Sequence, residues 1–170
     1  MKKLYFIGFL ISTVALSAQE KINTTNVVTV EGMVKNPVKF SLNDLKNHKV
    51  KQIDSCVIYN HLMEPRRTIR NIKGVLLKDI LDKAGFDITM SKLLSEFYIT
   101  CIASDNYKVV FSWNELFNSA IGNSVMIISE ADGIKAEQLP DRIALLSASD
   151  RATGRRYVKG LQKIVVERVD

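Results

Sequence analysis

Apolar and polar residues alternate over much of the chain after residue 26, and this period predicts β-strands. Two turn signals, DNY at 105–107 and ADG at 131–133, indicate hairpins within the series. The expected strands are VVTVEGMV (27–34), VKQIDSCVIY (50–59), FYITCIAS (97–104), KVVF (108–111), SVMIIS (124–129), RIALLS (142–147) and LQKIVVERV (161–169). The pattern therefore indicates a chain that is largely β.

A few stretches have the signals of short helices instead. Ser41 and Ser112 each begin a capping box, with an acidic residue three positions later. The segment 74–85, GVLLKDILDKAG, has one apolar and one charged face, and its final glycine ends the helix. The polar segment 60–73, NHLMEPRRTIRNIK, contains a proline and is expected to be a loop. The expected fold class is α+β, a mixed and mostly β domain with short helices.

The N-terminal residues 1–19 have the layout of a secretory signal peptide. Lys2 and Lys3 precede an apolar run over 4–16, and small residues lie near its end at Ala15, Ser17 and Ala18. The run is too short for a stable membrane span, and it contains no cysteine for a lipid anchor. We therefore expect a Sec-exported, periplasmic or secreted protein with no membrane anchor and a single domain over residues 20–170.

The charge balance and the absent motifs exclude several function classes. The formal net charge is +6, and +4 remains without Lys2 and Lys3, because no acidic residue precedes Glu20. A nucleic-acid-binding protein usually concentrates more positive charge than this. The chain has no HExxH, CxxC, G-x-S-x-G, G-x-G-x-x-G or P-loop motif. A dedicated zinc site, a serine nucleophile elbow and a nucleotide-phosphate loop are therefore not expected.

Two cysteines, Cys56 and Cys101, each lie in an apolar, β-branched stretch. One interpretation is that both are buried thiols that pack as small hydrophobic side chains. A second is a disulfide between neighbouring strands, which an oxidising compartment would allow. A third is a reactive or metal-ligating thiolate at Cys56.

Basic residues form two groups along the chain. Either group alone is typical of a solvated surface, but together they would form a pocket for phosphate or another oxyanion, which arginine binds through two parallel hydrogen bonds. The first group is Arg66, Arg67, Arg70 and Lys73, and the second is Arg142, Arg151, Arg155, Arg156 and Lys159.

The order of motifs over 28–169 resembles the molybdopterin-binding domain of the sulfite oxidase family. The matching segments are VEGMVKNPVKFSLNDLK (30–46), QIDSCVIYN (52–60), GVLLKDILDKAG (74–85), ASDNY (103–107), RIALLS (142–147) and GRRYVKGL (154–161). Two departures stand out. The family often has a Gly-Asn-x-Arg run after its cysteine, which CVIYNH lacks, and Gly160 replaces a late tryptophan.

The resemblance implies a sulfite-oxidase-like fold and a molybdopterin-dependent oxidoreductase that transfers oxygen atoms. It implies that Cys56 is the thiolate ligand of molybdenum. The cofactor-binding residues that it implies are Arg155, Arg156, Lys159, Arg142, Asn60 and Tyr107.

Three hypotheses follow. The first is a binding module whose basic pocket takes an anionic small molecule or pterin-like ligand without a working molybdenum centre. The altered surroundings of Cys56 favour it, as does the Lys2-Lys3 signal, since the family is normally exported folded through a twin-arginine signal. The second is the molybdopterin enzyme itself. A third treats the charges as surface and both cysteines as core. An electron-transfer or other protein partner is compatible with the first two.

Overall fold

A computed structural model describes residues 22–169 and shows two β-sheets with short helices beside them. The strands are β1 (Val27–Gly32), β2 (Val38–Ser41), β3 (Val50–Tyr59), β4 (Pro65–Leu76), β5 (Phe97–Ala103), β6 (Lys108–Ser112), β7 (Val125–Ala131), β8 (Ile134–Lys135), β9 (Ala144–Ser147), β10 (Tyr157–Lys159) and β11 (Leu161–Arg168). The helices are α1 (Leu42–Leu45), α2 (Leu77–Ala84) and α3 (Trp113–Phe117). Short 3₁₀ turns lie at Ser91–Glu96, Ala120–Asn123, Ala136–Gln138 and Thr153–Arg156.

These elements confirm the expected mixed, mostly β fold class. The expected secretory signal at 1–19 lies outside the described residues, so it stays a prediction. Within residues 22–169, helices long and apolar enough to cross a bilayer do not occur.

The two sheets differ in topology. The first has five strands in the order β2-β1-β11-β5-β6, with β1 parallel to β11. The second has the order β10-β9-β7-β4-β3, with β8 added beside β7, and its pairs are antiparallel. The turn predicted at 105–107 joins β5 to β6, as expected. The turn predicted at 131–133 joins β7 to β8, a two-residue strand that the sequence pattern did not predict.

The larger core lies between the first sheet, one face of the second sheet and α2. The apolar face of α2 is buried, and Gly85 with φ +63° ends the helix, as its sequence predicts. Both expected capping boxes are present at α1 and α3, where Ser41 and Ser112 donate their backbone N–H to a carboxylate at 2.8 Å.

The smaller core shows that the second sheet curls on itself. Its buried side chains come from strands of that one sheet, so the two ends of the sheet must approach each other. The two end strands, β3 and β10, are brought close by Thr153, which comes shortly before β10. The Thr153 hydroxyl accepts a hydrogen bond from Tyr59 N at 2.9 Å and donates one to Val57 O at 2.7 Å. Thr153 therefore closes the seam of the curled sheet.

The prediction of a loop over residues 60–73 is wrong. Most of this segment is β4, which pairs with β3 to form a two-stranded ribbon, and β7 pairs with β4 over the last part of that strand, from Lys73 to Leu76. The polar residues are explained by the ribbon's exposed outer side. Asn71, with φ +49°, interrupts the alternation that would have identified the strand.

Candidate functional site

A groove runs along the seam where the second sheet closes, and we call it the seam groove. It has two lobes, with volumes of about 390 and 280 Å³, and Tyr107 and Gly154 line both. The first lobe is also lined by Ile58, Tyr59, Asn60, His61, Arg66 and Arg155. The second is also lined by Ile22, Ala103, Asp105, Tyr157 and Lys159.

The 3₁₀ turn Thr153–Arg156 forms the floor of the seam groove, and we call it the floor turn. A Cβ atom at Gly154 would lie 2.6 Å from Tyr59 O, so only glycine allows the turn to approach β3 this closely. On the other side, the Tyr107 hydroxyl donates a hydrogen bond to the Arg155 carbonyl. The floor turn is therefore held between β3 and the β5–β6 hairpin.

Three basic residues line the seam groove, Arg66, Arg155 and Lys159. Arg66 lies 3.3 Å from the Glu64 carboxylate, and Lys159 lies 3.7 Å from Asp141. These contacts are solvent-accessible and weak, so they leave both cations able to bind a ligand. The Arg155 side chain makes no ion pair within the part of the chain that the structure describes.

Tyr157 joins the two groups of basic residues. Arg67, from the first group, donates a hydrogen bond to the Tyr157 hydroxyl at 3.2 Å. Lys159, from the second group, lies 5.7 Å from the centre of the Tyr157 ring. Burial raises the pKa of Tyr157, so the phenol stays neutral. The fold thus brings Arg66 and Arg67 together with Arg155 and Lys159, while Lys73 pairs with Glu130 at 3.0 Å elsewhere.

Arg156 points away from the seam groove and into the protein. Its guanidinium donates two hydrogen bonds to the Asp150 carboxylate, both at 2.7 Å, and one to Glu115 at 2.9 Å. It also lies over the Phe111 ring, 4.3 Å from the centroid. We call Arg156, Asp150 and Glu115 the Arg156 clamp. It connects the floor turn and the end of β9 with the start of α3.

The clamp residues stabilise one another's charges. The hydrogen bonds that Arg156 donates to Asp150, followed by the one it donates to Glu115, raise the pKa of Arg156 despite its partial burial. Burial acts to raise the pKa of Glu115, but the Ser112 amide and Arg156 outweigh it and lower that pKa. Two carboxylates therefore already balance the charge of Arg156, and this pairing disfavours the binding of an anionic ligand to it.

Cys56 lies in the smaller core, where it is 7% exposed. Its thiol makes weak contacts with Val57 O at 3.7 Å and Ala148 O at 3.9 Å. Burial, and then the Asp150 carboxylate, raise the pKa of Cys56. Burial raises the pKa of Cys101 to about 12, in the larger core. Both cysteines are free thiols, so the disulfide alternative is not realised.

The surroundings of Cys56 favour the protonated thiol. A ligating thiol must lose its proton, and a carboxylate neighbour together with burial opposes that loss. The lining of the two lobes does not include Cys56.

The residues implied as cofactor-binding divide into two sets. Asn60, Tyr107, Arg155 and Lys159 line the seam groove, but Arg156 and Arg142 are directed elsewhere. Arg142 donates a hydrogen bond to the Asn26 side chain. As cofactor-binding residues, all six stay predictions, as does Cys56 as a metal ligand.

Sequence reasoning missed the contributions of Thr153, Gly154, Tyr157 and His61. Their signal was their position, because Tyr157 and the Thr-Gly pair lie inside or beside the motif GRRYVKGL. His61 lies in the segment that was expected to be a loop.

Comparison with known proteins supports the fold. No protein-family model and no curated protein matches the chain. Among solved structures, the sulfane dehydrogenase SoxCD from Paracoccus pantotrophus is similar, with a TM-score of 0.59 and 15% sequence identity. The match covers 92% of this chain and 41% of that chain, so this chain spans about two fifths of that protein's length. At this identity the likeness shows the fold alone, a mixed and mostly β fold shared with part of the sulfane dehydrogenase.

Proposed function

We propose that this chain is an exported binding module of the sulfite oxidase family, which takes an anionic small molecule in the seam groove without a working molybdenum centre. The observation that supports it is the convergence of Arg66, Arg155 and Lys159 on one groove. Export and family membership rest on the residues of the signal-like segment and on the order of motifs.

The chemistry of the groove suits an oxyanion attached to a flat organic group. Arginine binds phosphate or carboxylate through two parallel hydrogen bonds, and Arg155 has no competing ion pair among the described residues. Tyr107 and Tyr157 offer aromatic surface in the second lobe. Lobes of about 390 and 280 Å³ match ligands of metabolite size. A pterin-like ligand is one member of this class.

A molybdopterin-dependent oxo-transfer enzyme is the second candidate, and the likeness of fold to a sulfane dehydrogenase favours it. It requires a Cys56 thiolate that reaches a bound metal. The burial of Cys56 and its Asp150 neighbour support the binding module instead.

The binding proposal is tested by titrating the purified protein with orthophosphate and pyrophosphate, using amide chemical shifts as the readout. We expect shifts at Gly154, Arg155 and His61, and Arg155→Gln should weaken binding by about tenfold or more, because it removes a charge-assisted hydrogen bond. Arg168→Gln is the matched control, since Arg168 pairs with Glu96 at 3.7 Å outside the groove. Equal losses in both variants, or no shifts at millimolar anion, would contradict the proposal.

The two candidates are separated by the molybdenum content of protein recovered from cells that load other molybdenum enzymes. We expect no stoichiometric metal. Near-stoichiometric molybdenum that disappears in Cys56→Ser would establish the enzyme and overturn the binding module.

A further inference from the structure

The tip of the β3–β4 ribbon exposes a pair of large apolar side chains. We call residues 60–64 the tip turn; there, Leu62 is 64% exposed and Met63 is 45% exposed. The other large apolar side chains that are exposed over residues 22–169 are separated from one another in sequence. Single exposed apolar residues are normal, whereas this adjacent pair forms a small apolar patch at the end of the ribbon.

The tip turn is rigid because it satisfies its own hydrogen bonds. The Asn60 side-chain oxygen accepts from Leu62 N and Glu64 N, both at 2.9 Å, and its amide group donates to the Glu64 carboxylate at 2.8 Å. Backbone bonds from Asn60 N to Glu64 O and from Met63 N to Asn60 O, both at 3.1 Å, complete it. The two apolar side chains are thus presented in one conformation before any partner arrives.

Met63 pays a conformational penalty to occupy its place. Its φ is +62°, a region that favours glycine and asparagine. The residues at positive φ over 22–169 are otherwise glycine, asparagine and aspartate, with Arg142 as the exception. Glycine would relieve this strain, so the presence of methionine favours a role for its side chain. Methionine is flexible and polarizable, which suits an adaptable binding surface.

Charge around the tip turn indicates what kind of partner would fit. The first part of β4 carries Arg66, Arg67 and Arg70, all exposed, against Glu64 as the acidic residue of the turn. Glu64 already contacts Arg66 at 3.3 Å. The remaining excess of positive charge is complementary to an acidic surface. An anionic lipid surface is less well matched, because Glu64 would enter the headgroup region together with the apolar side chains.

The tip turn also stands at the mouth of the seam groove. Asn60 and His61, from the turn, and Arg66, just beyond it, line the first lobe. A partner that receives Leu62 and Met63 would therefore cover the groove opening. We propose that the tip turn is the docking element for an acidic protein that binds over the seam groove. This inference does not depend on which anion the groove takes.

The experiment uses a photo-crosslinking amino acid at position 62 of the full-length protein in the cells that make it. The same substitution at Met90, which is 50% exposed, is the control. We expect one discrete adduct from position 62 that is absent at position 90. Mass spectrometry should identify a protein with an acidic surface, which is then purified. That protein should bind wild type in a salt-sensitive manner and bind Leu62→Asp about tenfold or more weakly.

Met63→Gly separates docking from folding. Glycine relieves the positive φ, so the variant should unfold at a higher temperature while binding the purified partner more weakly. Unchanged partner binding in both variants would overturn the proposal, as would identical adducts at positions 62 and 90. Co-sedimentation with phosphatidylglycerol vesicles that Leu62→Asp abolishes would assign the tip turn to a lipid surface instead. If Arg155→Gln loses anion binding but still binds the purified partner, the docking proposal holds independently of the anion that the groove takes.

Discussion

Arg156 shows how the position of one side chain depends on tertiary partners that a local motif cannot reveal. In the sequence it is one of several basic residues in GRRYVKGL, and the resemblance of this motif to the family implies that Arg156 binds a cofactor. In the fold, Asp150 and Glu115 take its three hydrogen bonds. Glu115 is distant in sequence, and its own position follows from the Ser112 capping box. The cap was predictable, but its use as an arginine partner was not.

Removing the Arg156 charge should destabilise the protein strongly. The side chains of Arg156 and Asp150 are 19% and 13% exposed, so Arg156→Met leaves a carboxylate unpaired in a mostly buried place. We expect a loss of about 3 kcal/mol in the free energy of unfolding at pH 7, measured by urea denaturation. Arg168→Met, which breaks the exposed pair with Glu96, should lose less than about 0.5 kcal/mol. Similar losses in the two variants would show that the Arg156 clamp has no special role.

Wild type and Arg156→Met should also differ in their response to acid. The pKa of Glu115 is lowered in the folded protein, so its contribution to stability is present above its ordinary value of 4.5. That contribution is lost as the pH falls through the folded pKa. Because Arg156 is one cause of the lowering, the acid-induced loss of stability below pH 4.5 should be smaller in Arg156→Met than in wild type. An equally steep loss in both would assign the effect to the Ser112 amide alone.

Among the elements, the strands with regular alternation could be predicted from sequence, and the ribbon strand could not. β5 alternates strictly between buried and half-buried positions, which is why its pattern identified it. In β4, Ile69 and Ile72 are both fully buried although they are three residues apart, and Asn71 lies between them at positive φ. A register shift against β7 follows between Lys73 and Gly74. These irregularities hid the alternation of a strand, and the polar residues together with Pro65 gave the segment the composition of a loop.

The floor turn should depend on the Thr153 hydroxyl. Thr153→Val keeps the shape of the side chain but leaves Tyr59 N and Val57 O without their partner. We expect a loss of about 1–3 kcal/mol of stability and faster hydrogen exchange of the Tyr59 amide. Thr153→Ser keeps the hydroxyl and should retain most of the protection. If Thr153→Val exchanges as slowly as wild type, the seam is closed by packing rather than by this side chain.

For the whole molecule, the sequence could give the class of fold and the existence of a basic region, while the curl of the second sheet created the site. Arg66 and Arg155 are far apart in the chain, and they meet because β3 and β10, at opposite ends of one sheet, are joined at the seam. Long-range closure of this kind leaves no local pattern in the sequence. The resemblance of motif order therefore located the fold correctly but could not say which cations face the groove.

The two cores should unfold as one unit, because the central strands serve both. In β7, Val125 and Ile127 enter the larger core, whereas Met126 and Ile128 enter the smaller one. Neither core can open without disturbing the backbone of the other.

Three probes in the same chain test this coupling. Trp113, the single tryptophan, packs against the larger core and reports through fluorescence. Pulsed thiol labelling with peptide mapping reports Cys56 in the smaller core and Cys101 in the larger. All three probes should share one urea midpoint. Leu146→Ala in the smaller core should lower that midpoint equally for all three, because it reduces the free energy of unfolding of the whole domain by about 3 kcal/mol. Labelling of Cys56 at lower urea than Cys101 would instead mean that the curled half, with the seam groove, opens on its own.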